Sequence, residues 1–386
     1  MNVSIASAPS VRPNFEAASD LSWRSEPLAN ALCADLRADW DELTQAASDP
    51  NLFQTSAFLA YSLPLLAEMS PEAIQIRESG LLIGLVILRR DRGYAKLPLP
   101  FWRSALHHEQ YLGTPLVRKG FEHAFAKGFC EWLDQAPSNC WFVNLSLINM
   151  DGALAKAFAD HCHRSNREIF ATSHYERAAI RPALHSETSA EELLRSSRRR
   201  SLRKARGKLE KLGVVKIERL SNRDQLDSWT SHFLAMEDTG WKHDEGSSIL
   251  SCAKETALYQ KIIKDAFEAK TLNFTRLCVG EKPIAYTLDI AAPPTGYCLK
   301  SAIDQQFRKY SPGVLLEFET LQHYLKQSEL TLLDSCSAPD NAILNELWPD
   351  RRPICDLVIG RKGALYRIAF SLAYAIKSAM QTAVKV

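Results

Sequence analysis

Between Arg195 and Lys211 the chain sets nine Lys and Arg against a single acid, Glu210, the most biased segment in its 386 residues. Cations at that density suit a phosphate-bearing ligand, an anionic lipid surface or RNA, unless they are the solvated face of a connecting helix. Leu194, Leu202, Ala205, Leu209 and Leu212 fall close to one helical stripe and Gly213 supplies a stop, so the segment reads as a basic amphipathic helix. A second basic stretch follows Asp356, after which no acid occurs; Leu365, Ile368, Leu372, Ile376 and Met380 stripe a helix from about Ala364. The nine cysteines form no CxxC pair, and none stands in a Cys/His nucleophile setting. Their scatter suits reduced thiols in the cytoplasm. His161-Cys162-His163 is the nearest approach to a metal cluster, but side chains at i and i+2 diverge on a helix, so no metal is expected.

These residues need a frame. The 47 Lys and Arg balance 45 Asp and Glu to a net +2, which argues against binding nucleic acid over the whole chain. Hydrophobic residues at 46% and charged residues at 24% are ordinary globular values. The longest apolar run, 81–88, is far short of a membrane span, and the first twenty residues lack the apolar core of a secretory signal. The expected location is the cytoplasm, with peripheral contact at the inner membrane left open.

Periodicity then gives an architecture that runs twice. Helices are expected over 28–46 and from Thr55, with Pro64 as a kink, followed by strands at 73–78, 81–90 and 94–99 separated by Ser79-Gly80 and Asp91-Arg92-Gly93 turns. A helix at 121–135, a strand at 140–147, a helix at 152–165 and strands at 167–173 and 177–181 close the first half. After the basic spacer come a strand at 214–219, helices at 224–236 and 254–269, and strands at 272–279, 284–290 and 297–303. A helix from Pro312 to about Lys326 and strands at 330–333 and 354–359 complete the second half. The expected organisation is a disordered lead-in (1–27), one α/β domain (28–185), the basic connecting helix (186–213), a second α/β domain (214–360) and a basic amphipathic terminal helix (361–386).

Four motifs occur in order: the basic run Ser196–Gly213, Asp-Thr-Gly-Trp-Lys (238–242), Lys-Pro-Ile-Ala-Tyr (282–286) and Lys-Tyr-Ser-Pro-Gly-Val-Leu-Leu (309–316). This ordered set resembles the GNAT-superfamily acyltransferases of the cellulose-biosynthesis CelD/BcsL-like group, relatives of the FemAB transferases. The resemblance spans roughly 36–360. It implies tandem GNAT-like domains, each a mixed, mostly antiparallel sheet flanked by helices, the second holding an acyl-thioester donor such as acetyl-CoA or a longer acyl-CoA. The first, degenerate, shapes the side where an amine acceptor binds.

The donor's phosphates would suit a helix N-terminus, where unpaired N–H groups and the positive dipole end point outward. Tyr310-Ser311-Pro312-Gly313-Val314 supplies one, with Ser311 as cap, Pro312 at the first helical position and Gly313 allowing close approach; Arg308 and Lys309 add cations. The family's phosphate loop reads Arg/Gln-x-x-Gly-x-Gly/Ala, and this chain keeps only the second glycine. Tyr286 belongs to the third motif and is expected beside the donor. The strand 284–290 is expected to splay from its neighbour and to expose backbone N–H groups to the thioester carbonyl. Acid–base candidates are His243, Lys300 and Asp304, which match a recurrent Lys-x-x-x-Asp, and Asp334, which matches the start of an Asp-Phe-Gly-like turn, here Asp334-Ser335-Cys336. Glu237, Trp241 and Lys242 are expected on the acceptor side. The implied activity is direct N-acyl transfer to an amino sugar, a polysaccharide precursor or a lipid amine such as a sphingoid base. A FemAB-like aminoacyl-tRNA-dependent transferase and a non-catalytic scaffold on an anionic membrane surface remain as alternatives.

Overall fold

The computed structural model describes residues 20–94, 97–136, 140–363 and 366, so most of the expected terminal helix lies outside the described residues. The described residues open on strand β1 (Leu21–Pro27), so the last part of the expected disordered lead-in is ordered and pairs antiparallel with β2 (Glu72–Glu78). Between them the first helical stretch breaks at Leu32–Cys33, and the longer piece, α1 (Ala34–Ala46), buries Leu36, Trp40 and Leu43. Helix α2 (Ser56–Leu66) starts where the Thr55 hydroxyl accepts the Phe58 N–H at 3.2 Å, and it carries Pro64 inside it.

Strand β3 (Leu81–Tyr94) runs straight through the expected turn at 91–93, with Gly93 at φ +96° beside a register shift against β4 (Leu97–Ser104). The short β5 (Leu116–Val117), α3 (Glu122–Gln135), β6 (Phe142–Asn149), α4 (Ala153–Arg164) and β7 (Ile169–Ile180) follow. The two strands expected at 167–181 are this single β7, in which Ser173 takes a left-handed turn at φ 53°.

The basic helix α5 (Ser196–Glu210) leads to β8 (Val215–Arg219), α6 (Leu226–Glu237) and α7 (Ala253–Glu268). A meander of β9 (Leu272–Val279), β10 (Lys282–Ala292) and β11 (Thr295–Ile303) precedes α8 (Pro312–Tyr324), β12 (Leu332–Asp334), α9 (Ala342–Leu347) and β13 (Asp350–Gly360). All thirteen strands among the described residues form one sheet, in the order β1-β2-β3-β4-β6-β13-β7-β12-β11-β10-β9-β8 with β5 against β3. Thus β13, although the last of the described strands, is hydrogen-bonded between β6 and β7 of the first half.

The halves repeat one plan. Helices α3 and α4 bury Phe125, Phe129 and Phe158 against the first meander; α6 and α7 bury Trp229, Phe233 and Ile262 against one face of the second, and α5, α8 and α9 cover its other face. The apolar stripe of α5 is spent on this last layer, with Leu202 and Leu209 buried, and only its cationic side meets solvent. No helix among the described residues is long and apolar enough to cross a membrane. This is an α/β fold, a mixed, mostly antiparallel sheet flanked by helices.

Candidate functional site

The site begins at a fork. Strand β12 pairs in parallel with β11 only over Thr295–Tyr297 against Leu332–Asp334, and Ser335 then turns away to the carbonyl of Ala178. From Cys298 to Ile303 the edge of β11 facing the fork has no strand partner among the described residues. The expected splayed strand, 284–290, is instead β10, hydrogen-bonded on both edges by β9 and β11, so it has no row of N–H groups to offer. The misassignment is one strand wide: the meander's last strand, not its middle one, stands before the helix.

Where the fork widens, a cleft of about 500 Å³ opens between the end of β11 (Ser301, Ala302, Ile303), the start of α8 (Ser311, Pro312, Gly313, Val314, Glu317), the end of α6 with the turn after it (Met236, Glu237, Thr239, Lys242), Gln305, Arg308 and the chain at Asn341–Leu344. An α-helix leaves its first N–H groups without internal partners, and Pro312 has none to leave, so Gly313 and Val314 present free donors to this cleft. Gly313 also packs closely on β11: a Cβ there would meet Ile303 Cγ2 at 3.1 Å. Ser311 is not the cap expected of it. Its side chain caps nothing, and its backbone is left-handed at φ 55°, ψ 48°. Read against the family loop, Arg308-x-x-Ser311-x-Gly313 puts this serine where the loop has a glycine, and the backbone keeps the conformation that a glycine adopts without strain.

A second cleft, also about 500 Å³, lies beyond the segment that follows β12 and is lined by His107, His108, Tyr111, Tyr175, Arg177, Cys336 and Ser337. Cys336 repeats the pattern of Ser311: it stands where the Asp-Phe-Gly-like turn has its glycine, and its φ is 53°. Its thiol is buried, and burial with Asp334 nearby raises its pKa well above the ordinary value, so it is a poor nucleophile. His107 accepts the Glu109 N–H at Nδ1, 3.2 Å, leaving Nε2 to meet Ser62 Oγ at 2.9 Å. Burial pulls the pKa of this imidazole down to about 4.

The expected site residues therefore divide. Glu237, Lys242, Arg308, Ser311, Gly313 and Val314 line the first cleft together. Glu237 is buried, bridged to Lys242 Nζ at 2.7 Å, and accepts the Ile249 N–H at 2.9 Å. Lys309 lies over the Tyr310 ring, outside the cleft lining. Tyr286 is fully buried among Trp229, Phe233 and Phe274, on the sheet face away from α8, and belongs to the core. The backbone of Trp241 starts a four-residue helix, while its side chain lies outside the described residues.

The four acid–base candidates do not meet. His243 is exposed and pairs with Asp238 at 3.2 Å. Asp304 accepts the Gln306 N–H and bridges to Lys282 rather than to Lys300. Lys300 reaches across to Glu109, a residue of the first half, at 2.8 Å; Tyr111 and Tyr259 donate to the other oxygen of the same carboxylate at 2.6 and 2.5 Å. Burial opposes ionisation of Glu109, but Lys300 and these donors hold it below its ordinary pKa. Asp334 is fully buried between Arg177, 2.6 Å, and Arg352, 2.8 Å, while its second oxygen accepts the Cys336 N–H. His108 Nε2, Glu109 and Glu255 place one ligand atom each within 4.8 Å of one another, yet Glu109 is already committed to Lys300 and two tyrosines. At His161-Cys162-His163 the thiol turns into the core and the imidazoles stay outside it.

Sequence reading missed Glu109, Ser301, Gln305, Glu317 and Asn341. Only Glu317 left a trace, four residues beyond Gly313 and so on the same helical side.

The last strand of the second meander and the strand after it fork apart, and the fork opens onto a bare helix N-terminus. Residues 196–341 match the acetyltransferase (GNAT) domain family, which spans the basic helix, the meander, α8 and β12. By sequence, no curated protein matches the chain significantly. By structure, the chain is similar to FemX, with a TM-score of 0.52 at 10% identity over 88% of this chain and 98% of that one. It is also similar to the C-terminal domain of a putative lysylphosphatidylglycerol synthetase from Agrobacterium fabrum, with a TM-score of 0.51 at 11% identity over 86% and 95%.

Proposed function

We propose that the protein is an N-acyltransferase that moves an acyl group from a CoA-type thioester to an amine by direct attack. The observation that carries this is the fork: the unpartnered edge of β11 runs into a cleft that ends on the free N–H groups of Gly313 and Val314, beside Arg308. Phosphates would rest on the helix end and the thioester carbonyl along the β11 edge, where a backbone N–H stabilises the developing oxyanion.

The acceptor would enter by the second cleft, which shares the chain after β12 with the first. Its nitrogen lone pair attacks the carbonyl carbon, the C–S bond breaks as the oxyanion collapses, and the nitrogen's proton ends on the departing thiolate. Imidazole, tyrosine and serine groups on that wall favour a polar acceptor such as an amino sugar over a long-chain lipid amine. On this proposal the protein is a member of the CelD/BcsL-like group and works in the cytoplasm.

The test is acetyl-CoA binding by calorimetry with Gly313→Asp, Gly313→Ala serving as the control for the Cβ alone. The aspartate should cost at least about tenfold in affinity, about 1.4 kcal/mol, beyond the alanine. Mass spectrometry during turnover should find no acylated protein. Equal affinities for the two variants would remove the donor assignment.

A second reading, FemAB-like transfer from an aminoacyl-RNA, draws on one observation: Arg199, Arg200 and Arg203 of α5 line an open groove with Phe318 and are exposed. RNA held there should dissociate steeply with added salt, whereas thioester binding should weaken modestly.

A further inference from the structure

Two carboxylates line the donor cleft. Glu237 is taken up by Lys242 and the Ile249 N–H, whereas Glu317 has no hydrogen-bond or ion-pair partner among the described residues. Glu317 follows Gly313 by four positions on α8, so the two side-chain positions share a helix face about 5–6 Å apart. A phosphate resting on the Gly313 and Val314 N–H groups would therefore lie within reach of this carboxyl.

The groups around Glu317 decide its charge. From β10 comes Asp289, which is buried and accepts from Tyr324 of α8 at 3.2 Å and from Asn273 of β9 at 3.3 Å. From β11 comes the Cys298 thiol, whose pKa burial and Asp289 raise well above the ordinary value, so it stays neutral. Across the cleft stand the Glu237–Lys242 pair and Arg308, and Arg219 acts on Asp289 from β8. Desolvation, with Asp289 beside it, pushes the Glu317 carboxyl up to about 8. Desolvation pushes Asp289 up to about 7.

We propose that Glu317 is a specificity-determining residue of the donor site: as a neutral acid it donates a hydrogen bond to a donor phosphate oxygen, as a carboxylate it repels that phosphate, and the donor therefore binds with uptake of one proton. The inference rests on the reading of this cleft as the donor's phosphate site. It makes the site selective for a phosphate-bearing thioester only while Glu317 holds its proton. An anion near the carboxyl raises its pKa further, so the linkage has one sign: affinity is flat below the free-state pKa and falls above it.

The experiment titrates the full chain with acetyl-CoA, whose sulfur carries no titrating proton, from about pH 7 to about pH 9.5. Near pH 8.5 it is repeated in two buffers of different ionisation enthalpy. Affinity should fall by about tenfold per pH unit above about 8, with uptake approaching one proton. Glu317→Gln, checked for folding by circular dichroism, should lose both the pH dependence and the proton uptake that the unmodified protein shows. Binding that is independent of pH and takes up no proton in the unmodified protein would overturn the role of Glu317 and leave the donor site standing. So would a Gln variant that keeps both effects. Failure of acetyl-CoA to bind at any pH would overturn the donor reading, and this inference with it.

Discussion

Asp334 was expected to take part in the chemistry, and its surroundings give it a different task that can be measured. It is fully buried, and the two guanidinium groups on it, Arg177 and Arg352, are 2% and 1% exposed. Arg352 also reaches Asp49 at 3.1 Å, and Arg177 donates to the Tyr111 carbonyl at 2.7 Å. Two carboxylates thus balance two guanidiniums, tying β7, β12 and β13 to the segments around residues 49 and 111. Asp334→Asn keeps the shape and removes one charge, leaving two arginines facing each other across a neutral amide, with Asp49 the carboxylate that remains on Arg352. Breaking a buried pair in this way costs about 3–5 kcal/mol, a large share of the roughly 5–15 kcal/mol that holds a folded domain. The assay is urea unfolding, read as a shift of midpoint at constant slope.

The sign with pH follows from the same contacts. Burial opposes ionisation of Asp334, but the two arginines hold its pKa below the ordinary 3.8. The stabilisation is therefore present above about 3.8 and is lost as pH falls through the lower folded value, a loss the Asn variant should not show. A variant with unfolding within about 1 kcal/mol of the parent, but turnover reduced by about a thousandfold, would refute this reasoning and return Asp334 to the chemistry.

Two further outcomes follow from particular backbones and protons. At Ser311 a left-handed residue begins α8, so Ser311→Val, β-branched at φ 55°, should lose about 1–2 kcal/mol of stability and weaken acetyl-CoA binding, while Ser311→Gly should do neither; equal behaviour of the two in chemical denaturation and calorimetry would show that the conformation does not matter. His107 is held neutral by burial, with its pKa lowered from 6.5 to about 4, so folding excludes a proton that the unfolded chain binds. Stability should fall as pH drops from about 6.5 to about 4, and His107→Gln should flatten that slope in denaturant titrations at successive pH values.

What the sequence discloses about the fold is whatever is local. Steps of three and four place α6 and α7 within a residue or two, because each buries one face against the sheet, and β9 matches at both ends. The expectations fail where the deciding contact is distant. Strand β13 reads as the close of the second half, yet its partners β6 and β7 lie some two hundred residues upstream. The continuity of β3 through Asp91-Arg92-Gly93 depends on β4 tolerating a register shift opposite the glycine. For the site, the start of α8 was legible because Pro and Gly have positional meaning that no tertiary context is needed to read. Lys300 and Asp304 were misread as a working pair for the converse reason: their spacing is that of the family motif, but each ion pair is completed elsewhere, by Glu109 and by Lys282. Tyr286 shows the same limit, since strand alternation fixes that it faces one side and only the packing of α6 decides that the side is core.

Two left-handed non-glycine residues, Ser311 before α8 and Cys336 after β12, bear on whether the geometry around the clefts is held in place. If the start of α8 and the turn after β12 were unconstrained, serine and cysteine at these positions would be free to relax to ordinary backbone, since a left-handed conformation costs a non-glycine residue about 1–2 kcal/mol. Both instead keep positive φ, Ser311 at 55° and Cys336 at 53°. The constraint on each is visible. Ser311 must reverse the chain so that Gly313 can close on Ile303, and Cys336 must turn its N–H onto Asp334 while the chain leaves β12 for the second cleft. Both strained residues border a cleft, and the segment carrying Cys336 is the wall between the two. Strain kept at one point on each cleft, the second beside a buried charge cluster that draws residues from both halves, belongs to a geometry the fold maintains. The join between the halves, more than the second half alone, is therefore where the two clefts are kept in line.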